Sequence, residues 1–476
     1  MGELKKKTLN GVVWKTMQTV STTGIQFIFT IFMTRLLAPE DYGMVGMLAV
    51  FMAISNAFID CGFGQALIRK QDRTHVDEST VFYFNLVAST LCYAILFAIA
   101  PLVAHFYKMP QLSLILRILG LTLVIRALST IHTLIYTINL DFKTPSIINL
   151  SCNVVSGFFG LYLAYRGYEV WALVFQTLFA SLLVSITFIT VSKWRPLWAF
   201  SWKSFKDMFA FGSNLLGATL LNSIYHNLSS IFIGRAYTAA DLGIYTKGEK
   251  MASFVPETIY GSIESVSYPV LCRFQNDKEN LAIVYRKFIR IISFILFPIM
   301  TILCLLSTPF LVFLFGERWA ESGLYMALMC FPWMLVPIQC LNLNILKVVG
   351  RSNLIFRLGL VKIFLGVVML LITLPISIKA MCIGTIINVC IAFFINAHYT
   401  SRFVGIQIKH QLIDMARSFS LSIIVGVVVY FAISFFDGNL AKLCVGGIAG
   451  VATYMLLAFT IKMNELKEVI ELLKGR

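Results

Sequence analysis

The chain has 476 residues, of which 58% are hydrophobic and 13% are charged, and its mean hydropathy is +0.82. A soluble domain has no interior large enough for this much apolar surface, so the composition excludes an ordinary soluble protein. The formal net charge of +16 would suit a nucleic-acid-binding protein, but the positive residues follow the loops of a membrane protein and exclude that interpretation.

Apolar runs of the length that a helix needs to cross a bilayer recur along the whole chain. They predict an all-α polytopic membrane protein with about fourteen spans. The predicted spans lie near residues 11–37, 43–68, 79–105, 112–137, 145–165, 168–192, 207–234, 241–271, 284–315, 321–347, 353–378, 380–400, 414–435 and 440–462.

The loops between these spans alternate in charge. One set of loops carries most of the lysines and arginines, whereas the other set carries only Arg35, Lys108, Arg166, Arg235, Arg318, Lys379 and Lys442. Because positive loops stay in the cytoplasm, this asymmetry predicts that both termini are cytoplasmic. The first apolar run is too long and too polar for a cleavable signal peptide.

A 200-residue repeat relates the first two spans to the seventh and eighth. The loop Arg35-Leu-Leu-Ala-Pro-Glu-Asp-Tyr-Gly43 matches Arg235-Ala-Tyr-Thr-Ala-Ala-Asp-Leu-Gly243 without a gap, with the arginine, the aspartate and the final glycine in common. Duplicated membrane bundles are common in transporters, whose substrate site lies between the halves. We therefore expect a six-helix bundle in residues 1–200, a second in residues 201–410, and a peripheral helix pair with a basic tail in residues 411–476.

Polar residues recur at helical spacing in the first and seventh spans, which places them on one face of each helix. They are Lys15, Thr19, Thr22 and Gln26 in the first span, and Thr219, Asn222, His226 and Ser230 in the seventh. Because polar groups are costly in hydrocarbon, we expect both faces to line a wet cavity. The alternative is that these residues only form hydrogen bonds between helices.

The eighth span carries several charges on one face. Its residues at steps of three or four are Lys247, Lys250, Phe254, Glu257, Gly261 and Glu264. Four ionisable side chains on one face cannot all contact lipid, which favours a stripe that faces the lumen. The alternative is that the two lysines snorkel to the outer interface while the carboxylates pair with other helices.

Charged residues occur in three other spans. Arg117 and Arg126 in the fourth span lie nine residues apart, and thus on opposite faces of a helix. We expect Arg126, which has serine and threonine residues on its side, to face the lumen, and Arg117 to snorkel outward. Lys362 in the eleventh span either faces the lumen or snorkels. Asp60 in the second span either couples an ion or pairs with a nearby lysine or arginine.

The chemistry predicted from these residues is anion binding in a cavity between the halves, and phosphate or pyrophosphate is the natural ligand of lysine and arginine. The predicted substrate-binding side chains are Lys15, Arg126, Lys247, Lys250, Lys362, Gln26, Asn222 and His226. Asp60, Glu257 and Glu264 are predicted to couple transport to H⁺ or Na⁺, because carboxyl groups in apolar surroundings exchange protons near neutral pH. We expect no metal site and no other cofactor.

Four stretches together resemble one family of membrane proteins. They are the loop Arg35–Gly43 quoted above, Asp60-Cys-Gly-Phe-Gly-Gln-Ala-Leu-Ile68, Asn139-Leu-Asp-Phe-Lys143 and Gly167-Tyr-Glu-Val-Trp-Ala-Leu173. With the helix count, they resemble the polysaccharide transporter (Wzx-type flippase) family of the multidrug/oligosaccharidyl-lipid/polysaccharide (MOP) exporter superfamily, especially its teichuronic and colanic acid exporter branch. The resemblance covers nearly the whole chain.

This resemblance implies two six-helix bundles around a V-shaped central cavity, with two peripheral helices. It implies a transporter of the bacterial inner (cytoplasmic) membrane that flips undecaprenyl-pyrophosphate-linked oligosaccharide to the periplasmic leaflet by alternating access driven by an ion gradient. The expected partners are the lipid-linked oligosaccharide, membrane lipids and other polysaccharide assembly proteins. Fourteen spans can enclose a cavity alone, so we expect a monomer.

The resemblance also implies that the loop residues Pro39, Asp41 and Gly43 shape the turn between the first two spans, because proline ends a helix and glycine tolerates a tight backbone. Asp241 and Gly243 take the corresponding places in the second half, where Ala239 replaces the proline. That second turn is therefore expected to differ from the first.

Three other functions remain open from the sequence. A MATE-like multidrug or metabolite exporter predicts a lumen dominated by carboxylates and aromatic residues, whereas lysines and arginines are at least as numerous here. A membrane-embedded glycan polymerase or ligase needs a sizeable outward loop with ionisable residues, and the predicted outward loops are short, so we do not expect an enzyme. A structural partner in a biosynthetic complex would show no transport in reconstituted vesicles.

Overall fold

The computed structural model describes residues 21–70 and 72–473, in which all the regular secondary structure is helical. A helix satisfies its backbone hydrogen bonds within one segment, which a chain this apolar requires in hydrocarbon. By its contacts the chain divides into two compact units, residues 1–243 and 244–476. The predicted division by sequence at residues 200 and 410 stays a prediction.

The helices of the first unit follow one another with short connections. In chain order they are α1 (residues 21–36), α2 (Pro39–Asp60), α3 (Phe63–Arg69), α4 (His75–Tyr107), α5 (Gln111–Ile138), α6 (Lys143–Tyr165), α7 (Val170–Val191) and α8 (Trp202–Ala236). The next helix, α9 (Ala239–Cys272), begins in this unit and continues into the second.

The remaining helices belong to the second unit. They are α10 (Lys278–Leu305), α11 (Ser307–Phe315), a 3₁₀ turn (Glu317–Trp319), α12 (Ser322–Val348), α13 (Ser352–Thr373), α14 (Ile378–Val404), α15 (Ile408–Ser434), α16 (Asn439–Thr460) and α17 (Asn464–Leu473).

Eleven segments of the described chain are long and apolar enough to cross a membrane, so this is a multi-pass membrane protein. The long helices α8 and α9, which carry polar residues along their length, are not among the eleven, and neither is the described part of α1. The all-α prediction is confirmed. The total of fourteen spans stays a prediction.

The structure adds three local features that the predicted spans do not contain. The second span breaks after Asp60, where Cys61 and Gly62 both have positive φ, at 31° and 68°. The ninth breaks at Leu306, because Pro309 has no N–H to donate to the carbonyl four residues earlier. The predicted basic tail contains the helix α17, which an ion pair of 3.1 Å between Glu468 Oε1 and Lys287 Nζ joins to α10.

The N-terminal end of α4 holds the segment that leads into α8. Trp194 Nε1 donates to Glu78 Oε2 at 2.7 Å, the Leu197 N–H donates to Ser79 Oγ at 2.9 Å, and the Ser201 N–H donates to Thr80 Oγ1 at 3.0 Å. Because α5 packs against both α4 and α7, these contacts stabilise one wall of the helix cluster of the first unit near the N-terminal end of α4.

The second unit is built around α10, which packs against α12 and α15. The peripheral helix α16 approaches this core through Gly446 and Gly450, where an added Cβ would lie 2.8 Å from Leu306 and 2.7 Å from Ile302. The small residues therefore permit the close packing that a GxxxG pattern predicts.

Candidate functional site

A cavity of about 770 Å³ opens within the first unit. It is lined by α1, α4, α5, α6 and α7 together with Gly64 of α3. Its polar lining residues are Thr22, Thr23, Gln26, Asn85, Arg126, Ser129, Thr130, Thr133, Thr137, Asn149, Asn153, Thr177 and Ser181. Polar side chains at this density in membrane helices indicate a wet interior rather than a lipid-facing surface.

Helix α5 supplies the most continuous polar wall of this cavity. Arg126, Thr130, Thr133 and Thr137 recur at steps of four, three and four residues, which brings them to one face. The hydroxyls donate to carbonyl oxygens of their own helix, as Thr130 does to Arg126 at 3.0 Å and Thr137 does to Thr133 at 3.1 Å. Their oxygen lone pairs therefore remain available to the cavity.

Arg126 is the charged residue among those that line the cavity in the described part of the chain. It lies 15 residues after Gln111 and 12 before Ile138, or roughly 20 Å from either end of α5. No ion pair or side-chain hydrogen bond joins its guanidinium to another described residue. The Asp60 carboxylate is close enough to attract it electrostatically, so the prediction that Asp60 couples an ion and the alternative that it pairs with a cation both remain.

A second cavity of about 380 Å³ continues from the first toward the C-terminal end of α1. The two cavities share Gln26, Asn153, Thr177 and Ala180. Beyond these residues the lining includes Thr30, Tyr42, Ser156 and Gln176, which are polar but uncharged. The described walls thus combine one cation with a long neutral polar surface.

Two glycines of α6 make room for the wall of the second cavity. A Cβ at Gly157 would lie 2.6 Å from the ring of Phe29, and a Cβ at Gly160 would lie 2.7 Å from the side chain of Gln176. Both side chains line this cavity. Because a real Cβ is not found at such distances, the two glycines let α1 and α7 approach α6 closely.

The predicted polar face of the first repeat meets the cavity at Thr22 and Gln26, and Gln26 lines both of its parts. Lys15 lies outside the described residues, as do the side chains of Asn222 and Glu264. His226 is an exposed residue of α8, with its ring centroid 6.0 Å from that of Tyr225. Its predicted contact with substrate stays a prediction.

The charges of α9 lie in the second unit and have local partners. Lys250 Nζ is 3.1 Å from Glu257 Oε2, and both side chains are exposed. Lys247 is only 7% exposed, with its Nζ 5.0 Å from the ring centroid of Phe315 and 5.2 Å from that of Trp319. An ammonium over aromatic faces is stabilised by their quadrupoles, so Lys247 is enclosed by protein in this conformation.

Lys362 takes part in a hydrogen-bond chain within the second unit. Its Nζ donates to Asn396 Oδ1 at 3.3 Å, Asn396 Nδ2 donates to Gln339 Oε1 at 3.3 Å, and Gln339 Nε2 donates to the carbonyl of Val389 at 3.2 Å. The chain links α12, α13 and α14. In this conformation the ammonium is therefore directed to a neighbouring helix.

The repeated loop residues act at helix ends and at a helix crossing. The Ala38 N–H donates to Asp41 Oδ2 at 2.9 Å, and the Thr238 N–H donates to Asp241 Oδ2 at 3.0 Å, so both aspartates cap a helix start. These bonds satisfy N–H groups that have no partner within a helix, and the carboxylates complement the positive end of the helix dipole.

The two glycines have a different function from the predicted one. Gly43 and Gly243 lie inside the first turns of α2 and α9, and neither has a positive φ. A Cβ at Gly43 would overlap the carbonyl oxygen of Ala239, and one at Gly243 would overlap that of Pro39. Their missing side chains thus permit a reciprocal contact between repeat-related helix starts, rather than a tight backbone turn.

Several polar residues of the cavity escaped the sequence analysis, namely Asn85, Asn149, Asn153 and Gln176. Each is an uncharged amide inside a predicted span, so the analysis of charges and repeated positions did not select it. Amides within membrane helices are themselves a signal of a wet or hydrogen-bonded face, and a search for them would have found all four.

Comparisons with known proteins agree on one family. A family model described as "Polysaccharide biosynthesis protein" matches residues 32–323. The teichuronic acid biosynthesis protein TuaB of Bacillus subtilis (strain 168) is 25% identical over 361 residues, which are 75% of this chain and 74% of TuaB. The lipopolysaccharide biosynthesis protein WzxC of Escherichia coli (strain K12) is 23% identical over 371 residues, or 76% of this chain and 74% of WzxC.

The fold is similar to that of a solved transporter. The lipid II flippase MurJ in an inward closed conformation matches with a TM-score of 0.72 and 14% sequence identity, covering 94% of this chain and 98% of MurJ. At this identity the similarity concerns the fold alone.

Proposed function

This chain belongs to the polysaccharide biosynthesis protein family, and from this premise we propose that it is a flippase. Its substrate is an undecaprenyl-diphosphate-linked oligosaccharide, which it moves from the cytoplasmic to the periplasmic leaflet of the bacterial inner membrane. The names of the relatives, a teichuronic acid and a lipopolysaccharide biosynthesis protein, support a glycan substrate.

The observation that carries the proposal is the position of Arg126 in the 770 Å³ cavity. A guanidinium deep in a bundle of membrane helices, with Asp60 nearby but no ion pair to a described residue, favours the binding of an anion. Its planar donors match phosphate oxygens in pairs. A diphosphate on a lipid tail is an anion that can reach this depth, and its sugars would then contact the neutral polar walls.

The other predicted side chains complete the proposal. Lys15, Lys247, Lys250 and Lys362 supply further positive charge during the transport cycle, with Asn222 and His226 as polar contacts. Conformational change releases Lys250 from Glu257 and Lys362 from Asn396, so that each bond forms in one state of an alternating-access cycle. Asp60, Glu257 and Glu264 carry the H⁺ or Na⁺ that drives the cycle.

Arg126→Ala is the direct test of this proposal, because hydrogen bonds to charged groups contribute about 1.5–3 kcal/mol, or roughly 10- to 100-fold in affinity. The purified protein is placed in vesicles with a fluorescent undecaprenyl-diphosphate-linked oligosaccharide, and the initial flipping rate is measured by chemical quenching of the outer leaflet. We expect the Arg126→Ala rate to fall at least tenfold at low substrate concentration.

The matched control is Arg117→Ala on the same helix. The Arg117 guanidinium carbon lies 4.2 Å from the ring centroid of Phe97 and does not line the cavity. We expect its variant to flip within about twofold of the unchanged protein. Equal rates for the two alanine variants would refute the assignment of Arg126, and an inactive unchanged protein under both a proton and a Na⁺ gradient would refute the flippase.

A further inference from the structure

The segment between α7 and α8 is strongly positive. Residues 193–206 include Lys193, Arg195, Lys203 and Lys206 and no aspartate or glutamate. All four cationic residues are exposed, and none of them forms an ion pair with a residue in the described part of the chain. Cations gathered next to a membrane helix without acidic partners indicate an anionic partner at the membrane surface.

The same segment exposes large aromatic side chains. Trp198 is 98% and Trp202 is 61% exposed, and the ring of Trp202 stacks on that of Phe205 with centroids 5.0 Å apart. Hydrogen bonds from residues 194, 197 and 201 to α4 hold the segment against the first unit, so the backbone that carries these rings has a fixed place. Tryptophan beside lysine is typical of the headgroup layer, where an indole meets both acyl chains and water.

A groove of about 470 Å³ lies between α6 and α7. Its lining includes Ile147, Val155 and Val191, each of which is about half exposed, so the groove opens on the surface of the helix pair. The 770 Å³ cavity is lined instead by Asn149 and Asn153, which lie on the other face of α6. The groove is therefore separate from the candidate substrate site.

One end of the groove lies beside cations. The groove reaches Thr144 at the start of α6 and Val191 at the end of α7. Lys143 directly precedes Thr144, and Lys193 follows Val191 by two residues, so both lysines lie at this end of the groove. The loop charges predict that this end is cytoplasmic. A mostly apolar groove that ends at positive side chains suits a molecule with an acyl chain and an anionic headgroup.

We propose that this surface binds an anionic phospholipid, with an acyl chain in the α6–α7 groove and the phosphate headgroup at Lys143 and Lys193. The remaining cations and Trp198 hold the segment in the headgroup layer. Charge complementarity selects this occupant, because a lipid without net charge would fill the groove but leave the cations unpaired, and a soluble anion would pair with the cations but leave the groove empty. The inference goes beyond the proposed function and does not depend on it.

The test uses the full-length protein in lipid nanodiscs that contain a trace of phosphatidylglycerol or phosphatidylcholine with the same photoreactive acyl chain. After illumination, mass spectrometry measures how much of each lipid is cross-linked to the groove residues. Each lysine near an anionic surface raises affinity roughly fivefold, so we expect phosphatidylglycerol to label the groove at least tenfold more than phosphatidylcholine. The exposed residues Phe364, Leu371 and Ile372 of α13 are the internal reference, which both lipids should label equally.

Two variants separate the headgroup from the acyl chain. Lys143→Gln combined with Lys193→Gln should reduce the preference at the groove to about twofold or less. Ser151→Leu, which fills the groove from an exposed position, should lower the labelling of the groove by both lipids. Lys379→Gln combined with Lys442→Gln is the matched charge control on the predicted outer loops, and it should leave the preference unchanged.

Three results would overturn the proposal. Equal labelling of the groove by both lipids in the unchanged protein would mean that the cations determine topology alone. An intact preference in the Lys143 and Lys193 variant would refute the headgroup assignment. Displacement of phosphatidylglycerol by an equal amount of polyprenyl diphosphate would assign the groove to the substrate. No arm of the experiment requires flipping, so a failed flipping assay refutes the proposed function and leaves this inference standing.

Discussion

Charged side chains in the membrane helices are held in different ways at the residue scale. Lys250 pairs with Glu257, Lys247 lies against two aromatic rings, and Lys362 donates to the buried Asn396. Arg126 instead faces a cavity with Asp60 as a nearby opposite charge. The difference matters for function, because a charge already satisfied by protein must give up a contact before it binds a ligand.

The ion pair between α10 and α15 allows a stability prediction at this scale. Arg286 Nε and Nη2 donate to the two Asp414 oxygens at 2.6 and 2.9 Å, and the Asp414 side chain is buried. Asp414→Ala leaves the guanidinium without its partner, although water reaches part of it. We expect the free energy of unfolding to fall by about 1–3 kcal/mol, measured by thermal unfolding in detergent.

Glu468→Gln is the control for that ion pair. It removes the bond of 3.1 Å to Lys287, in which both side chains have substantial access to solvent. Exposed pairs contribute about 0–1 kcal/mol, so the melting temperature should change less than for Asp414→Ala. A larger loss in Glu468→Gln would contradict the assignment of Asp414 to the packed core of the second unit.

At the element scale, the best-defined feature is the crossing of the first turns of α2 and α9. Each turn has an aspartate cap and, two residues later, a glycine that meets the backbone of the other helix. The reciprocity of the contact matches the 200-residue repeat in the sequence. Equivalent positions of the two repeats therefore meet at this crossing.

Gly43→Ala tests this crossing. The added methyl group overlaps the carbonyl oxygen of Ala239, so one helix must move, and we expect a loss of about 1–3 kcal/mol in the free energy of unfolding. Gly243→Ala should behave alike because its methyl group meets Pro39. Thermal unfolding of the purified variants gives the measurement.

The control is Gly359→Ala inside α13, where a Cβ would meet nothing within 4 Å. Alanine is a better helix former than glycine by roughly 0.5–1 kcal/mol, so this variant should be slightly more stable. A lower free energy of unfolding for Gly43→Ala and a higher one for Gly359→Ala would support a steric function for Gly43. A stabilising Gly43→Ala would disprove it.

At the scale of the whole molecule, the family resemblance predicted from four short stretches is confirmed, and so is the all-helical membrane fold. The charge distribution of the loops predicts that Lys108 lies on the outer side of the membrane and Lys143 on the cytoplasmic side. Lys108 follows α4 and Lys143 begins α6, so the two residues lie at opposite ends of the intervening helix α5.

Cysteine labelling tests this topology. In a cysteine-free background, Lys108→Cys should react with a membrane-impermeant maleimide in intact cells, and Lys143→Cys should react only after the membrane is opened. The ten native cysteines must first be replaced. Labelling of Lys143→Cys in intact cells would reverse the orientation and, with it, the direction of transport that we propose.

The sequence determined the membrane class, the repeat and the approximate helices, because hydrophobic length, loop charge and internal similarity are properties of consecutive residues. It also selected Arg126 and Gln26, since helical periodicity alone shows which neighbours share a face. The predicted ninth span extended too far, because a proline at position 309 has little effect on average hydropathy. The turn at Cys61 inside the second span was not predicted for the same reason.

Only the tertiary structure decided what each polar face contacts. Periodicity gives the direction of Lys362 around the axis of α13. Its contact with Asn396 depends on how α13 and α14 pack. In the same way, Asn85 of α4 lines a cavity only because α5, α6 and α7 pack so as to leave space beside it. Hydrogen bonds between helices join residues far apart in the chain, and their partners follow from packing rather than from local sequence.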